Sequence, residues 1–439
     1  MISRLWTDLQ IALRSLTQHG KRTIFLGLAI GAVTVLLILL NGLATGVSET
    51  MLHTATTLTT GHINVGGFFK VTAGQSAPVV TDYKKVLETT KRAVPEIAYT
   101  VQRGRGWAKI VSDSGSMQAG IGGIDIRDEP QFKSVLRISS GNIEDLAQPN
   151  TILLFEGQLE KLNVKVGDAV TISAQTTRGA ANTIDCRVVA IAHDVGLLSK
   201  WNVYVPIDTL RALYQLNATS TGAIHVFLGE RDQQRIPQIA ARLRGSLEQA
   251  GYKVMDADPR AFWMKFETVN REDWTGQKLD VTTWEDELSF MTWTLQLIKG
   301  LTVVLLVILI AIVVTGIMNT MWIAIRERTR EIGTLRAIGM NRKGVLWMFL
   351  LESFLLGLFS ALGGAAAGAA IAAGINALHI AVPLGVQLFL MSDHLYLAVH
   401  PGNLGQAVVM LTAVTALAAL YPSFRAARLQ PVTAMSHFG

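Results

Sequence analysis

Four long apolar runs constrain this chain more than any other feature. Residues 23–48 (TIFLGLAIGAVTVLLILLNGLATGVS), 300–325 (GLTVVLLVILIAIVVTGIMNTMWIAI) and 404–421 (LGQAVVMLTAVTALAALY) carry no charged side chain, and 345–378 carries one, Glu352. About 20 apolar residues in a helix cross the hydrocarbon core of a bilayer, so the sequence predicts a four-span membrane protein. The first run follows a polar lead and is long for a secretory signal, so it is expected to stay in place as a span. With 50% hydrophobic and 16% charged residues, against about 25% charged in ordinary soluble domains, neither a fully soluble enzyme nor a disordered chain fits. The single cysteine, Cys186, excludes an intramolecular disulfide framework and any Cys-rich zinc module.

A net charge of +6 would suit a nucleic-acid partner, but its distribution points elsewhere. Three short segments hold it: Arg4, Arg14, Lys21 and Arg22 before the first run; Arg326, Arg328, Arg330, Arg336, Arg342 and Lys343 between the second and third; Arg425 and Arg428 after the fourth. Against Asp8, Glu327 and Glu331, these 12 cations leave +9, while the other 27 of 39 basic and 30 of 33 acidic residues leave −3. Short basic segments stay on the cytoplasmic side. Both termini and the arginine-rich loop are therefore expected in the cytoplasm and the large middle segment outside. No nucleic-acid partner is expected; the partner surface is the membrane.

The expected organisation is an amphipathic N-terminal helix over 1–22 (Leu5, Leu9, Ala12, Leu13 and Leu16 on one side), spans over 23–48, 291–325, 345–378 and 404–421, an extracytoplasmic domain with stalk over 49–290, a cytoplasmic loop over 326–344, a short outer loop over 379–403 and a tail over 422–439. The fold class is a membrane protein with four transmembrane α-helices and a large α+β outer domain. In that domain, strand–helix–strand patterns recur at 61–101 and 223–255, the helices at 81–94 and 237–250. Hairpins are expected at 107–121 and 169–192. Mixed α/β halves thus flank a β-rich insertion. Residues 259–293 hold Trp263, Trp274, Trp284 and Trp293, which suits either a juxtamembrane stalk, where aromatic rings favour the interface, or a connector packed on the domain.

Catalytic motifs are missing from the sequence. The nearest approach to a phosphate-binding loop, GMNRKG (339–344), lacks both the spacing and the terminal hydroxyl. His394 and His400 have no third ligand, so no metal is expected. Glu352 falls near the cytoplasmic boundary. There a structural or coupling role, with water or an arginine in reach, outweighs a proton relay. Small residues recur at Gly27, Gly31, Gly42 and Gly46, and along a stripe of Gly357, Ala361, Gly364 and Gly368; such spacing lets helices approach closely in lipid and predicts a tightly packed, dimeric bundle. The loop IRERTREIGTLRAIGMNRKG (325–344) lines Ile325, Ile332, Leu335 and Ile338 on one helical face, with opposite charges at Glu327/Arg330 and Arg328/Glu331. Gly339 should end this helix and Asn341 cap the next.

At this loop the chain resembles a known family. ERTREIGTLRAIGMNRKGVLWMFLLESFLLGLFSALGG (327–364) is similar to the cytoplasmic loop and third span of FtsX-like permeases of ABC transporters, a family with lipoprotein-releasing (LolC/LolE) and MacB members. ALYPSFRAARLQPVTAM (419–435) resembles the same family's fourth-span exit. LLFEGQLEKLNVKVGDAVTI (153–172) and LLNGLATGV (39–47) resemble the lipoprotein-releasing permeases in particular. The resemblance implies a permease without an ATPase site of its own, ATP and Mg being bound by a separate cytosolic ATPase dimer. It implies a coupling helix at that dimer made of Glu327, Arg328, Arg330, Glu331, Ile332, Gly333, Leu335, Arg336 and Gly339, and a second permease subunit, identical or related. Implied cargo is a lipoprotein or other amphipathic molecule leaving the outer leaflet of the bacterial inner membrane, with a periplasmic carrier or adaptor as a further partner. On depth and apolarity its path would follow Leu40, Leu43, Val47, Met51, Phe290, Trp293 and Leu297. Alternatives are MacB-like efflux of periplasmic substrates and FtsX-like signalling to a cell-wall hydrolase.

Overall fold

The computed structural model of the chain describes residues 10, 14, 18, 20–72, 74–196, 198–383, 387 and 394–428, with backbone alone at 21, 22, 230 and 290–294. The expected N-terminal helix and the end of the tail lie outside the described residues. Two compact units result: Met1–Glu49 with Leu295–Ala381 and His394–Gly439, and Thr50–Thr294 with Val382–Asp393.

Helix α1 (Gly20–Ala55) starts in the first unit and ends in the second, where it widens into a π-helical segment, Thr56–Thr60. Gly61 N–H donates to the Thr56 carbonyl at 2.7 Å, five residues back. The threonine run favours this loosening: the hydroxyls of Thr56 and Thr59 donate to the carbonyls of Leu52 (2.7 Å) and Ala55 (2.6 Å), competing with the regular ladder.

The second unit continues with β1 (Ile63–Thr72), β2 (Gln75–Ala77), α2 (Tyr83–Ala93), β3 (Ile97–Val111), β4 (Ser116–Ile124), α3 (Pro130–Val135), β5 (Ile138–Gly141), β6 (Thr151–Phe155), α4 (Glu156–Leu162), β7 (Ala169–Gln175), β8 (Ala181–Ala192), β9 (Asn202–Pro206), α5 (Ile207–Tyr214), β10 (Ala223–Leu228), α6 (Ile236–Gln249), α7 (Phe266–Arg271), β11 (Gly276–Thr283) and α8 (Trp284–Glu287). The strands run β11-β1-β10-β3-β4-β9-β6-β8-β5, with β2 on β1 and β7 on both β3 and β8. Strand β3 serves both parts of the unit. Residues 97–103 pair with β10, while 104–111 pair with β4 and enter the β-rich insertion.

Alternation in the first part separates two faces. Ile63, Val65, Ile224, Val226, Leu279 and Val281 pack under α2 and α6 as one apolar core. The opposite face carries Asn64, Arg103, Arg105, His225, Asp280 and Thr282, close to fully buried. Both expected hairpins form, as β3–β4 and β7–β8. Residues 276–283 depart from the stalk reading: they are strand β11, antiparallel to β1. Trp274 sits beneath the ammonium groups of Lys70 (5.0 Å) and Lys278 (5.2 Å), and Trp284 packs on the α2/α6 core. Packing thus claims two of the four tryptophans, and Trp263 remains exposed. The expected strand at 252–255 shrinks to one bridge, Val254 to Leu279.

The first unit is completed by α9 (Ser289–Glu327), α10 (Thr329–Ala337), α11 (Arg342–Ala377) and α12 (Pro401–Ala427). Helices α1, α9, α11 and α12 are each long and apolar enough to cross a membrane. Their packing is uneven: 50% of the most apolar window of α12 is buried but only 11% of that of α9. Glycines bring α1 and α11 together. A Cβ on Gly364 would lie 2.5 Å from the Gly31 carbonyl oxygen, and Gly27 and Gly368 meet Ser360 and Ile38 across the same seam. Gly357 meets Thr415 of α12, while Gly42 and Gly46 meet the backbone of 396–398. The stripe expected to support a dimer is therefore occupied within one chain.

Candidate coupling sites

The arginine-rich loop forms as three local signals dictate. Helix α9 ends at Glu327 and α10 restarts at Thr329, with Arg328 as the hinge residue between them. Gly339, at φ +111°, ends the turn, and Met340 N–H donates to the Leu335 carbonyl at 3.0 Å; an L side chain is strained at that φ. Asn341 then caps α11, its Oδ1 accepting from Gly344 N–H at 2.7 Å.

The side chains expected at an ATPase surface divide by this geometry. Ile332 is 1% exposed and packs with Ile325, Val345 and Phe349; Gly333 is buried as well. Arg328 also points inward: its Nη1 donates to Glu352 Oε2 at 2.9 Å, with both side chains under a tenth exposed, and its Nε lies 3.5 Å from Glu331. The one carboxylate within the long apolar runs is thus a counter-ion of the arginine-rich loop. Glu327, Arg330, Glu331, Thr334 and Gly339 are exposed, Leu335 and Arg336 half-exposed, and Ile338 is 81% exposed. Of the expected apolar stripe, Ile325 and Ile332 stay together in one buried cluster across the break at Arg328, while Leu335 is half-exposed and Ile338, at the C-cap of α10, leaves it.

The residues of the expected cargo path differ in burial. Val47 and Met51 are buried, Leu40 and Leu43 half-buried and Leu297 is 47% exposed, while the side chains of Phe290 and Trp293 lie outside the described residues. A free apolar surface runs along α9, through Leu301, Val304, Ile308 and Ile312, each about half exposed.

In the second unit, two arginines on the polar face of β3 hold the chain where it leaves α1 and where it approaches α9. Sequence reasoning missed both. Arg103 donates from Nη1 to the Leu58 carbonyl and from Nη2 to that of Thr57, each at 2.6 Å, and pairs through Nε with Glu129 at 2.9 Å. Tyr204 Oη donates to the same Leu58 carbonyl at 2.9 Å. The π-helical turn frees these carbonyls for capture. Two residues on, Arg105 lies 3.4 Å from Glu287 of α8 and donates to Asn64 Oδ1 at 3.1 Å. Glu287 also accepts from Thr282 Oγ1 at 2.7 Å. Only the i, i+2 spacing of Arg103 and Arg105 was a signal in the sequence.

Histidines adjoin this layer. Burial, then the nearby charge of His53, pushes His62 down to about 4, and its Nδ1 accepts from Leu228 N–H at 2.9 Å. His225 is fully buried with neither ring nitrogen partnered. Burial first, then Arg103 and Arg105, drive it well below its ordinary value. Cys186 is buried, its thiol pushed up to about 12 by burial and Asp185. Among the described residues no cluster of His, Cys, Asp or Glu is arranged to hold a metal.

Comparison with known proteins places this arrangement. Residues 23–246, half of the chain, match the MacB-like periplasmic core domain, and residues 303–431 match the FtsX-like permease C-terminal domain. The chain belongs to the FtsX-like, MacB-type ABC transporter permeases. The macrolide export ATP-binding/permease protein MacB of Bradyrhizobium diazoefficiens is 32% identical to this permease over 146 residues, 33% of this chain and 20% of the relative. The lipoprotein-releasing system transmembrane protein LolC of Neisseria meningitidis serogroup B is 25% identical over 319 residues, 69% of the permease and 68% of the relative. The permease therefore aligns with about a fifth of that MacB and two thirds of that LolC. A solved extracellular domain of the ABC-type transporter YknZ from Gram-positive bacteria covers 43% of the permease and 96% of that domain, at 15% identity and TM-score 0.30.

Proposed function

We propose that this permease couples ATP hydrolysis by a separate cytosolic ATPase dimer to the extraction of a lipoprotein or similar amphipathic cargo from the outer leaflet of the bacterial inner membrane. The observation that carries the coupling is the Arg328–Glu352 pair. It ties the start of α10 to the interior of α11, so a push on the exposed edge at Arg330, Glu331 and Ile338 would be delivered to a span instead of bending a loop. Anchored inside and exposed outside, α10 suits insertion into a groove of a cytosolic partner. The segment charges favour both termini and α10 in the cytoplasm, with the second unit periplasmic. The unpacked apolar face of α9 suits lateral contact with an acyl chain or with a second permease subunit, identical or related. The expected metal-free chain fits this division of labour, with ATP and Mg on the partner.

The test is reconstitution of the permease in proteoliposomes with the ATPase that copurifies from native membranes. A lipoprotein bearing a fluorescent acyl anchor should stimulate ATP hydrolysis and be released, and Ile338→Asp should abolish both while leaving the permease folded. ATPase activity indifferent to lipoprotein would sink the cargo reading. A second reading, MacB-like export of periplasmic substrates, draws equal support from the periplasmic core match over half the chain. Crosslinking to a periplasmic adaptor, with no lipoprotein release, would favour it.

A further inference from the structure

The second unit contains a cleft of about 650 Å³ between its two parts, where β2 and the segment before α7 face β3, the β7–β8 hairpin and α5. That volume lies in the range of about 300–1,000 Å³ typical of small-molecule sites. Its walls are aromatic: Trp107, Tyr214, Phe262, Trp263 and Phe266. Trp107 is 59% exposed and Trp263 51%, although nothing in the fold requires two indoles to face water across one opening. The aromatic walls alone would suit any apolar body.

Three further observations narrow the ligand. The lining includes Arg105 and Lys109 but no carboxylate. The charge of Arg105 is met by Glu287 at 3.4 Å, its guanidinium lying 4.6 Å from the Phe262 ring centre; Lys109, exposed on β3, has no ion-pair partner among the described residues. Two hydroxyls of the lining, Ser76 Oγ and Thr176 Oγ1, are buried without a hydrogen-bond partner, and Thr176 is only 3% exposed. Buried hydroxyls are ordinarily paired, and an orphan has a cost that an oxygen-bearing ligand relieves. The backbone around them is already committed: Thr176 N–H donates to Ala180, and Tyr214 Oη exchanges hydrogen bonds with Trp107 N–H and carbonyl, 2.8 Å each.

We infer that this cleft binds a single-chain amphipathic anion, its apolar body between the indoles of Trp107 and Trp263 and its oxygen head group toward Lys109 and the hydroxyls of Ser76 and Thr176. The site goes beyond the transport reading, because it is complete within one unit of one chain and needs neither ATP nor a particular cargo. Its occupant is selected by charge: a cation of equal chain length meets Lys109 and is excluded.

The experiment uses full-length permease in lipid nanodiscs and a diazirine analogue of decanoic acid, with labelled peptides mapped by mass spectrometry. Saturable labelling of peptides containing Trp107 or Trp263 is expected. Excess decanoate should suppress it about tenfold, and Lys109→Glu or Trp107→Ala should weaken it to a similar degree, about tenfold for each 1.4 kcal/mol removed. Both positions are exposed, so the variants are expected to keep the wild-type circular dichroism. Labelling confined to the apolar helices, labelling without saturation, or equal competition by decyltrimethylammonium would overturn the assignment. If cargo release fails in the reconstitution while decanoate still competes here, the cleft stands and the transport reading falls.

Discussion

Single charges decide most at the residue scale. Glu352→Gln removes the nearer of the two carboxylates beside Arg328, and breaking one side of a buried pair costs about 3–5 kcal/mol. The expected result is a lower thermal midpoint together with loss of ATPase stimulation. Replacing both partners with methionine should recover the midpoint, because an apolar pair of similar volume is often neutral, yet leave stimulation low if the charge pair transmits motion. Recovery of both readouts would reduce the pair to packing. Histidine sets the acid limit. His62 is held near 4 in the fold against 6.5 as its ordinary value, so an unfolded chain takes up its proton first as pH falls. The stability His62 contributes is fully present above 6.5 and is lost as pH falls toward 4, with His225 acting in the same direction. Unfolding midpoints measured at about pH 7 and about pH 4.5 should differ, and His225→Leu should shrink the difference, since it removes a group that must stay neutral. A midpoint indifferent to pH would contradict this. Asn341, Gly339 and the Glu352 carboxylate were legible in the sequence because caps, positive φ and intramembrane charge are local signals. The Arg103–Glu129 pair was not: nothing in either residue's neighbourhood names the other, and the β3–β4 pairing and the turn after β4 bring them together.

At the element scale, the spans and the β3–β4 and β7–β8 hairpins could be read from apolar length and alternation. Strand β6, TILLF, is buried throughout and so shows no alternation to read. Strand β11, GQKLDVTT, was hidden by the charges and tryptophans around it. Its alternate Asp280 and Thr282 face a buried polar layer instead of water, so the usual polar-out pattern misleads. The arginine-rich loop was read as one amphipathic stripe, but Ile338 falls at the C-cap of α10 and leaves the buried face that Ile325 and Ile332 share. Helix packing supplies the prediction here. Gly364→Leu would drive a side chain into the Gly31 carbonyl, 2.5 Å from the Cβ position, and overpacking a close seam costs about 1–3 kcal/mol. Thermal unfolding should register that loss, whereas Gly363→Leu, with open space around its Cβ, should be tolerated. Equal effects at the two positions would show that α1 and α11 do not meet there.

For the whole molecule, the charge split predicts sidedness. Cys186 is buried with its thiol pushed up to about 12, so the native chain should resist maleimide in intact cells. A cysteine at Arg178, on the β7–β8 turn, should be labelled from outside by an impermeant maleimide, and one at Arg330 only after permeabilisation. The reverse pattern would invert the topology argued from +9 and −3.

The side-by-side placing of Arg103 and Arg105 has a consequence for how this protein can change over generations. Residues two apart on a strand share a face, and residues one apart do not. Inserting or deleting a single residue between them would swing one guanidinium from the polar layer to the opposite face, where Gly104 already lies against Leu210 of α5. The grip on the chain beyond α1 and the grip on the chain before α9 would then be out of phase, with no substitution at either arginine. Length in β3 should therefore be far less variable than composition, and loop insertions in related permeases should fall outside residues 103–105. The strand acts as a spacer whose unit of length is two residues.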